Sequence, residues 1–224
     1  MKKTSILLLP AIFLLNEFLC AQQWAATYNG TANYTDEVKA IVTDDAGNVY
    51  VTGSSASANN DFDYLTIKYN SQGVKQWIAR YDGTGNGNDI PHSIFTDQMG
   101  NVYVTGASNR VHLSLFDNDA TTVKYSPQGV QLWVARYDGV LHRDDQANTV
   151  KVDNDGNVYV TGFTTVSNLG YSAADYLTIK YNAAGVQQWV ATHNGPGNGG
   201  DAAVGLGLDA AGNTYVTGSD FAGS

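Results

Sequence analysis

The chain has 224 residues, of which 24 are glycine, 4 are proline and 43% are hydrophobic. This composition is typical of a globular β-rich domain and excludes a disordered or collagen-like chain. The formal net charge is −9 and no basic stripe is present, which argues against nucleic acid and anionic membrane surfaces as partners.

Residues 1–21 have the layout of a secretory signal peptide, with two lysines, an apolar run over residues 6–15 and a small residue, Ala21, at the end. We expect cleavage after Ala21. The alternative, lipid attachment to Cys20, is disfavoured by the bulky Leu19 before it. The apolar run is roughly half the 20 residues that a transmembrane helix needs, so no transmembrane segment is expected. The mature chain is therefore predicted to be exported, to the periplasm, the cell surface or the medium, and to lack cysteine.

Tryptophan marks an internal repeat. The only four tryptophans are Trp24, Trp77, Trp133 and Trp189, and each is followed twelve residues later by an aspartate, namely Asp36, Asp89, Asp145 and Asp201. Eleven residues further on, the motif Gly-Asn-Val-Tyr-Val-Thr-Gly begins, at positions 47, 100, 156 and, with Thr214 in place of Val, 212. The constant spacing predicts one repeat domain over residues 22–224. Its parts are an N-terminal outer strand (22–35), three repeats (36–88, 89–144 and 145–200) and a partial repeat (201–224).

Each repeat is predicted to contain four strands joined by Asx- and glycine-containing turns. In the first repeat these strands are Val38–Thr43, Val49–Thr52, Tyr64–Tyr69 and Val74–Tyr81.

Most of these strands carry apolar residues on both faces, so each small sheet has to be covered on both sides. Neighbouring copies provide that cover when twisted four-stranded antiparallel sheets stack around an axis, as in a β-propeller. We therefore predict an all-β fold of about four blades, in which Trp24, Trp77, Trp133 and Trp189 pack between blades instead of stacking on a ligand.

The predicted strands number fifteen, and the ring is expected to be incomplete. Three alternatives follow: a piece of a longer propeller, an open arc, or two chains that associate through their incomplete blade edges. The first is favoured because an uncovered blade face would expose a large apolar patch.

The segment Asp-x-x-Gly-Asn-Val-Tyr-Val-Thr-Gly, followed by Thr-Ile-Lys-Tyr and Gly-x-x-x-Trp, resembles the bacterial SBBP repeats, whose name refers to a seven-bladed β-propeller. The resemblance covers nearly everything after Ala21. It implies an exported propeller with a binding or surface role.

An enzyme is the alternative, because Gly73-Val74-Lys75-Gln76-Trp77 also resembles the glycine-to-tryptophan turn of propellers that use pyrroloquinoline quinone (PQQ). That turn packs blades and is not an active site. The four histidines lie at non-equivalent positions of the repeats, and neither a nucleophile elbow nor a phosphate loop is present. A non-catalytic binding or scaffold protein is therefore predicted.

The repeats differ in length at one place. From the last glycine of the motif to the repeated lysine there are 15 positions in the first repeat (Gly53 to Lys68) and 18 in the second (Gly106 to Lys124) and third. In a propeller these loops emerge on the same face as the blade-to-blade linkers, and variable loops on a rigid framework are where binding usually occurs. The candidate residues on this acidic face are Asp61, Phe62, Asp63, Asp89, Phe116, Asp117, Asp119, Asp144, Asp145, Tyr171, Asp175 and Asp201.

Two roles are consistent with these aspartates. Several of them together could bind Ca²⁺, which needs several oxygen ligands, and the chain would then be a Ca²⁺-dependent glycan-binding module. Alternatively each aspartate accepts hydrogen bonds from loop backbone, which is favoured because it recurs singly per repeat. The segment 153–157 resembles the start of an EF-hand loop, but Thr164 stands where the loop needs glutamate. No metal or other cofactor is therefore expected, and a protein and a glycan suit the face equally as ligands.

Overall fold

The structure, a computed structural model, describes residues 24–58, 61–84, 87–109, 117–166, 173–196 and 199–220. The predicted signal peptide lies outside these residues. Within them the chain forms fourteen β-strands, and no helix is long and apolar enough to cross a bilayer. The strands are β1 Asp36–Thr43, β2 Val49–Ala56, β3 Phe62–Tyr69, β4 Lys75–Tyr81, β5 Asp89–Thr96, β6 Val102–Asn109, β7 Asn118–Tyr125, β8 Gln131–Tyr137, β9 Asp145–Val152, β10 Val158–Thr165, β11 Ala174–Tyr181, β12 Gln187–His193, β13 Ala202–Leu208 and β14 Thr214–Ser219.

The strands form three four-stranded antiparallel sheets and one two-stranded sheet, and each sheet keeps its strands in chain order. We call them blade 1 (β1–β4), blade 2 (β5–β8), blade 3 (β9–β12) and the half-blade (β13–β14). Every neighbouring pair of strands is antiparallel. The predicted all-β fold of four-stranded antiparallel blades is confirmed, and the sheets form an open array.

The second strand of each blade is longer than predicted. In blade 1 the strand does not end at Thr52 but continues to Ala56. Gly53 lies inside it and pairs with Val38, next to a β-bulge between Val38 and Ala40 of the first strand. A Cβ atom on Gly53 would lie 2.1 Å from the carbonyl oxygen of Glu37, so only glycine fits there. The glycine that looked like a strand end therefore marks the bulge.

The predicted outer strand at 22–35 is wrong, because residues 24–35 contain no strand. An outer strand needs a ladder partner, and none of the described strands pairs with residues 24–35. Trp24 instead lies over the β3–β4 turn of blade 1, where its indole N–H donates to the carbonyl oxygen of Ser71 at 3.2 Å. Its ring lies 5.6 Å from that of Tyr69.

The repeated motif closes the turn between the first two strands of each blade. In blade 1, Oδ1 of Asp44 accepts from the backbone N–H groups of Ala46 and Asn48, and Oδ2 accepts from the Asn48 amide and the Tyr50 hydroxyl. Gly47 supplies the positive φ of 77° that the turn requires. Burial acts to raise the pKa of Asp44, but these hydrogen bonds hold it below its usual value.

The same hydrogen bonds recur at the equivalent aspartates of the other turns. Asp153, in the segment that resembles an EF-hand, accepts from the N–H groups of Asp155 and Asn157 and from the Tyr159 hydroxyl. Its carboxylate is therefore engaged within the turn.

The core lies between blades. Tyr50, Ala79 and Tyr81 of blade 1 pack against Ile94 and Val104 of blade 2, and an equivalent cluster joins blades 2 and 3. The outer face of blade 1 is covered only in part within the described chain, by Trp24 and Tyr28, which pack against Leu65, Ile67 and Tyr69. Val38 and Ile41 on that face are 69% and 65% exposed, whereas Ile94, at the position equivalent to Ile41, is 8% exposed.

Candidate functional site

The variable loops and the blade linkers meet at one face. The backbone N–H of Phe62, at the start of β3, donates to Oδ1 of Asn88 in the linker between blades 1 and 2, at 3.0 Å. Between blades 2 and 3, the side-chain amide of Asn118 donates to Oδ1 of Asp144 at 2.7 Å. The linkers are thus held against the β2–β3 and β6–β7 loops, as the sequence predicted for this face.

Three residues recur where two blades meet at this face: the aspartate at the start of the third strand, the residue after the fourth strand, and the aspartate that opens the next blade. We call each set a junction. The first junction is Asp63, Asp82 and Asp89, the second is Asp119, Asp138 and Asp145, and the third is Asp175, Asn194 and Asp201.

The blade-opening aspartates bind loop backbone. Asp89 accepts the N–H of Gly83 at 2.6 Å, and Asp145 accepts the N–H of Gly139 at 2.5 Å. Both aspartates are 1% exposed or less. Asp36 and Asp201 make the same bond, with the glycines six residues before them.

Burial raises the pKa of two blade-opening aspartates, Asp89 and Asp145. The pKa of Asp89 is raised to about 6 by burial, against the lowering effect of hydrogen bonds from the Ser108 hydroxyl and the Gly83 N–H, and the charges of Asp63 and Asp82 raise it further. Burial likewise raises the pKa of Asp145 to about 6.

The aspartate of the third strand pairs with an arginine in two of the blades. Asp63 accepts from the Arg80 guanidinium at 2.5 Å, and Asp119 accepts from Arg136 at 3.0 Å. Arg136 also donates to the Tyr81 hydroxyl of blade 1, so this ion pair bridges two blades. Both aspartates are buried, which makes the pairs part of the framework.

In blade 3 the arginine position is Thr192, and burial beside Asp201 raises the pKa of Asp175. Neither the two arginines nor Asp82 is among the site residues predicted from the sequence. The signal was present, because Asp82, Asp138 and Asn194 all stand seven residues before a blade-opening aspartate.

The predicted acidic face separates into buried and accessible members. The buried ones lie beneath the loops, where they cannot meet a macromolecular ligand: Asp61, Asp63, Asp89, Asp119, Asp144, Asp145 and Asp201. Phe62, Asp117 and Asp175 are partly exposed. Phe116 and Tyr171 lie outside the described residues.

Three of the four tryptophans contact the next blade. The indole N–H of Trp77 donates to the carbonyl oxygen of Pro127 at 3.0 Å, and that of Trp133 donates to Ala183 at 3.1 Å. Trp24 makes the matching contact with blade 1. Trp189, which precedes the half-blade, is 38% exposed, and its ring lies 6.3 Å from that of Tyr159 within blade 3.

This architecture defines a β-propeller repeat protein. A family model described as SBBP, beta-propeller repeat, matches residues 26–63, 76–110 and 135–170. The chain therefore carries SBBP β-propeller repeats, which confirms the resemblance drawn from its motifs. The chain is also similar to NHL repeat-containing protein 3 of Mus musculus, at 26% identity over 118 residues, which cover 45% of this chain and 33% of that protein. The chain thus spans about a third of the length of that relative.

Proposed function

We propose that this chain is an exported, non-catalytic β-propeller repeat protein whose loop face binds a protein or a glycan. The observation that carries the proposal is the connection between the second and third strands. It spans residues 57–61 in blade 1 but 110–117 in blade 2 and 166–173 in blade 3, whereas the flanking strands keep equivalent bounds. A loop that varies on a constant framework is where binding specificity usually arises.

The partly exposed side chains of this face support the ligand class. Phe62 offers an aromatic surface, and Asp117 and Asp175 offer hydrogen-bond acceptors. Aromatic and carboxylate side chains on one face suit the apolar surface and hydroxyl groups of a sugar, and they equally suit a polar protein surface.

A loop graft tests the binding proposal. Replacing residues 110–117 by residues 57–61 removes the longer loop of blade 2 and leaves the framework intact. The wild type, the graft and a Gln128→Ala control in the β7–β8 turn of the opposite face are applied to a glycan array. The same three proteins are used to capture partners from culture filtrate, and captured proteins are re-tested as purified samples.

The expected result is a glycan or a purified protein that binds the wild type and the control at least tenfold more tightly than the graft. Equal binding by the graft, or no retained ligand of either class, contradicts the proposal.

Incubation with PQQ and Ca²⁺ tests the non-catalytic role. No quinone absorbance is expected to remain with the protein after gel filtration, and retained absorbance would favour the enzyme alternative.

Export has its own test. Intact mass and N-terminal sequencing of the protein produced with residues 1–21 should show a mature chain that begins at Gln22. A lipid mass on Cys20, or an uncleaved leader, would contradict this part of the proposal.

A further inference from the structure

We propose that the first junction binds one divalent cation, Ca²⁺ by the chemistry of its ligands, through Asp63, Asp82 and Asp89. One oxygen atom of each carboxylate lies within 4.8 Å of the others. Ca²⁺ binds oxygen at about 2.3–2.6 Å, so oxygen atoms on opposite sides of one ion are separated by about 5 Å. The three carboxylates therefore have the spacing of ligands to one ion.

One buried carboxylate oxygen of this junction, Oδ1 of Asp63, has no partner in the described chain. Oδ2 of Asp63 accepts from Arg80 and Oδ2 of Asp89 accepts from Gly83, which leaves Oδ1 of each. Oδ1 of Asp63 is inaccessible and lacks a hydrogen bond in the described chain, whereas the carboxylate of Asp89 also interacts with the Ser108 hydroxyl. Asp63 is 3% exposed and Asp89 is 0% exposed. An unmatched buried carboxylate oxygen is costly, and a bound cation would remove that cost.

The charges of the junction point to a divalent ion. Three carboxylates face one guanidinium, that of Arg80, which leaves two negative charges when all are ionised. The nearby carboxylate of Asp61, itself buried, adds to the negative potential at Asp63. One divalent cation would neutralise the net charge of the three carboxylates and Arg80.

The other two junctions differ in the residue after the fourth strand. In the second, Asp138 engages the imidazole of His142 at 2.7 Å. In the third, this position is Asn194, which carries no charge. The described residues contain no other group of three acidic, histidine or cysteine side chains with this spacing. The cation is therefore assigned to the first junction alone.

Calcium titration of the full chain, stripped with EDTA at pH 7.5, tests the assignment. Calorimetry should give one Ca²⁺ per chain. The melting temperature should rise by roughly 5 °C at a hundredfold excess of Ca²⁺ over its Kd, because the ion binds only the folded state. Asp82→Asn is the key variant, since Asp82 is exposed and the substitution keeps its shape.

Asp82→Asn is expected to weaken Ca²⁺ binding at least tenfold and to melt like the wild type in EDTA. Asp45→Asn is the matched control, because Asp45 is an exposed aspartate of the β1–β2 turn on the opposite face. It should keep the wild-type Kd. The proposal is overturned if Ca²⁺ gives the wild type neither a heat of binding nor a higher melting temperature. That result is expected if a bound proton, and not a cation, neutralises the excess negative charge of the junction. It is also overturned if Asp82→Asn binds as tightly as the wild type.

Discussion

Trp133→Ala measures how strongly blades 2 and 3 are held together. The indole N–H of Trp133 bonds to Ala183 across the blade boundary, and its ring lies 6.2 Å from Tyr103 and 6.5 Å from Tyr181. Removing a large aromatic side chain from a packed site costs about 3–5 kcal/mol, of which the hydrogen bond supplies about 1 kcal/mol. Because Trp133 is only partly buried, we expect a loss of about 3 kcal/mol.

Trp189→Ala is the control for this measurement, since it removes the same side chain 56 positions further on. Trp189 is 38% exposed, and its ring contacts Tyr159 of its own blade. Its replacement should cost about 1 kcal/mol. Urea unfolding followed by far-ultraviolet circular dichroism gives both free energies of unfolding. Equal losses at the two positions, or a loss below about 1 kcal/mol for Trp133→Ala, would refute the inter-blade role.

Two further predictions follow from the turns and junctions. Gly185 and Gly212 both have a φ of 80°, but only at Gly185 would a Cβ atom lie 2.7 Å from the ring of Trp133. Gly185→Ala should therefore lower the melting temperature more than Gly212→Ala, and equal shifts would show that backbone strain alone matters. The pKa of Asp145, raised by burial to about 6, exceeds its unfolded value of about 3.9, so the stability it contributes is full below pH 4 and is lost as the pH rises through 6. Between pH 5 and 8 the wild type should lose roughly 1.4 kcal/mol relative to Asp145→Asn in urea unfolding, and parallel pH profiles would contradict this assignment.

The sequence predicted the blade because its spacing is constant and its turns carry specific chemistry. In blade 1, the turn glycine Gly73 and the tryptophan that follows it predict the start of the fourth strand to within one residue. The sequence predicts too early an end for β2, because a glycine such as Gly53 usually interrupts a strand. Only the three-dimensional crossing of β1 over Gly53 explains why that glycine belongs inside a strand.

The candidate site was predicted less completely. The loop face follows from antiparallel connectivity, so its position could be inferred. The burial of Asp63 and Asp89 could not, because it depends on how a linker folds back over two blades. The pairing of Asp63 with Arg80 joins residues on neighbouring strands, and its register becomes visible only once β3 and β4 are aligned.

The direction of the tryptophan contact bears on how such a chain can lengthen. In all three repeats the glycine of the β3–β4, β7–β8 or β11–β12 turn lies against the preceding tryptophan, and in the first two repeats the tryptophan contacts the next blade, as Trp77 contacts the turn that contains Gly129. A duplicated repeat inherits both halves of this contact. Copying one unit of the gene therefore creates a matched new boundary on either side without any compensating substitution, and natural selection can then alter the loops of the copy independently.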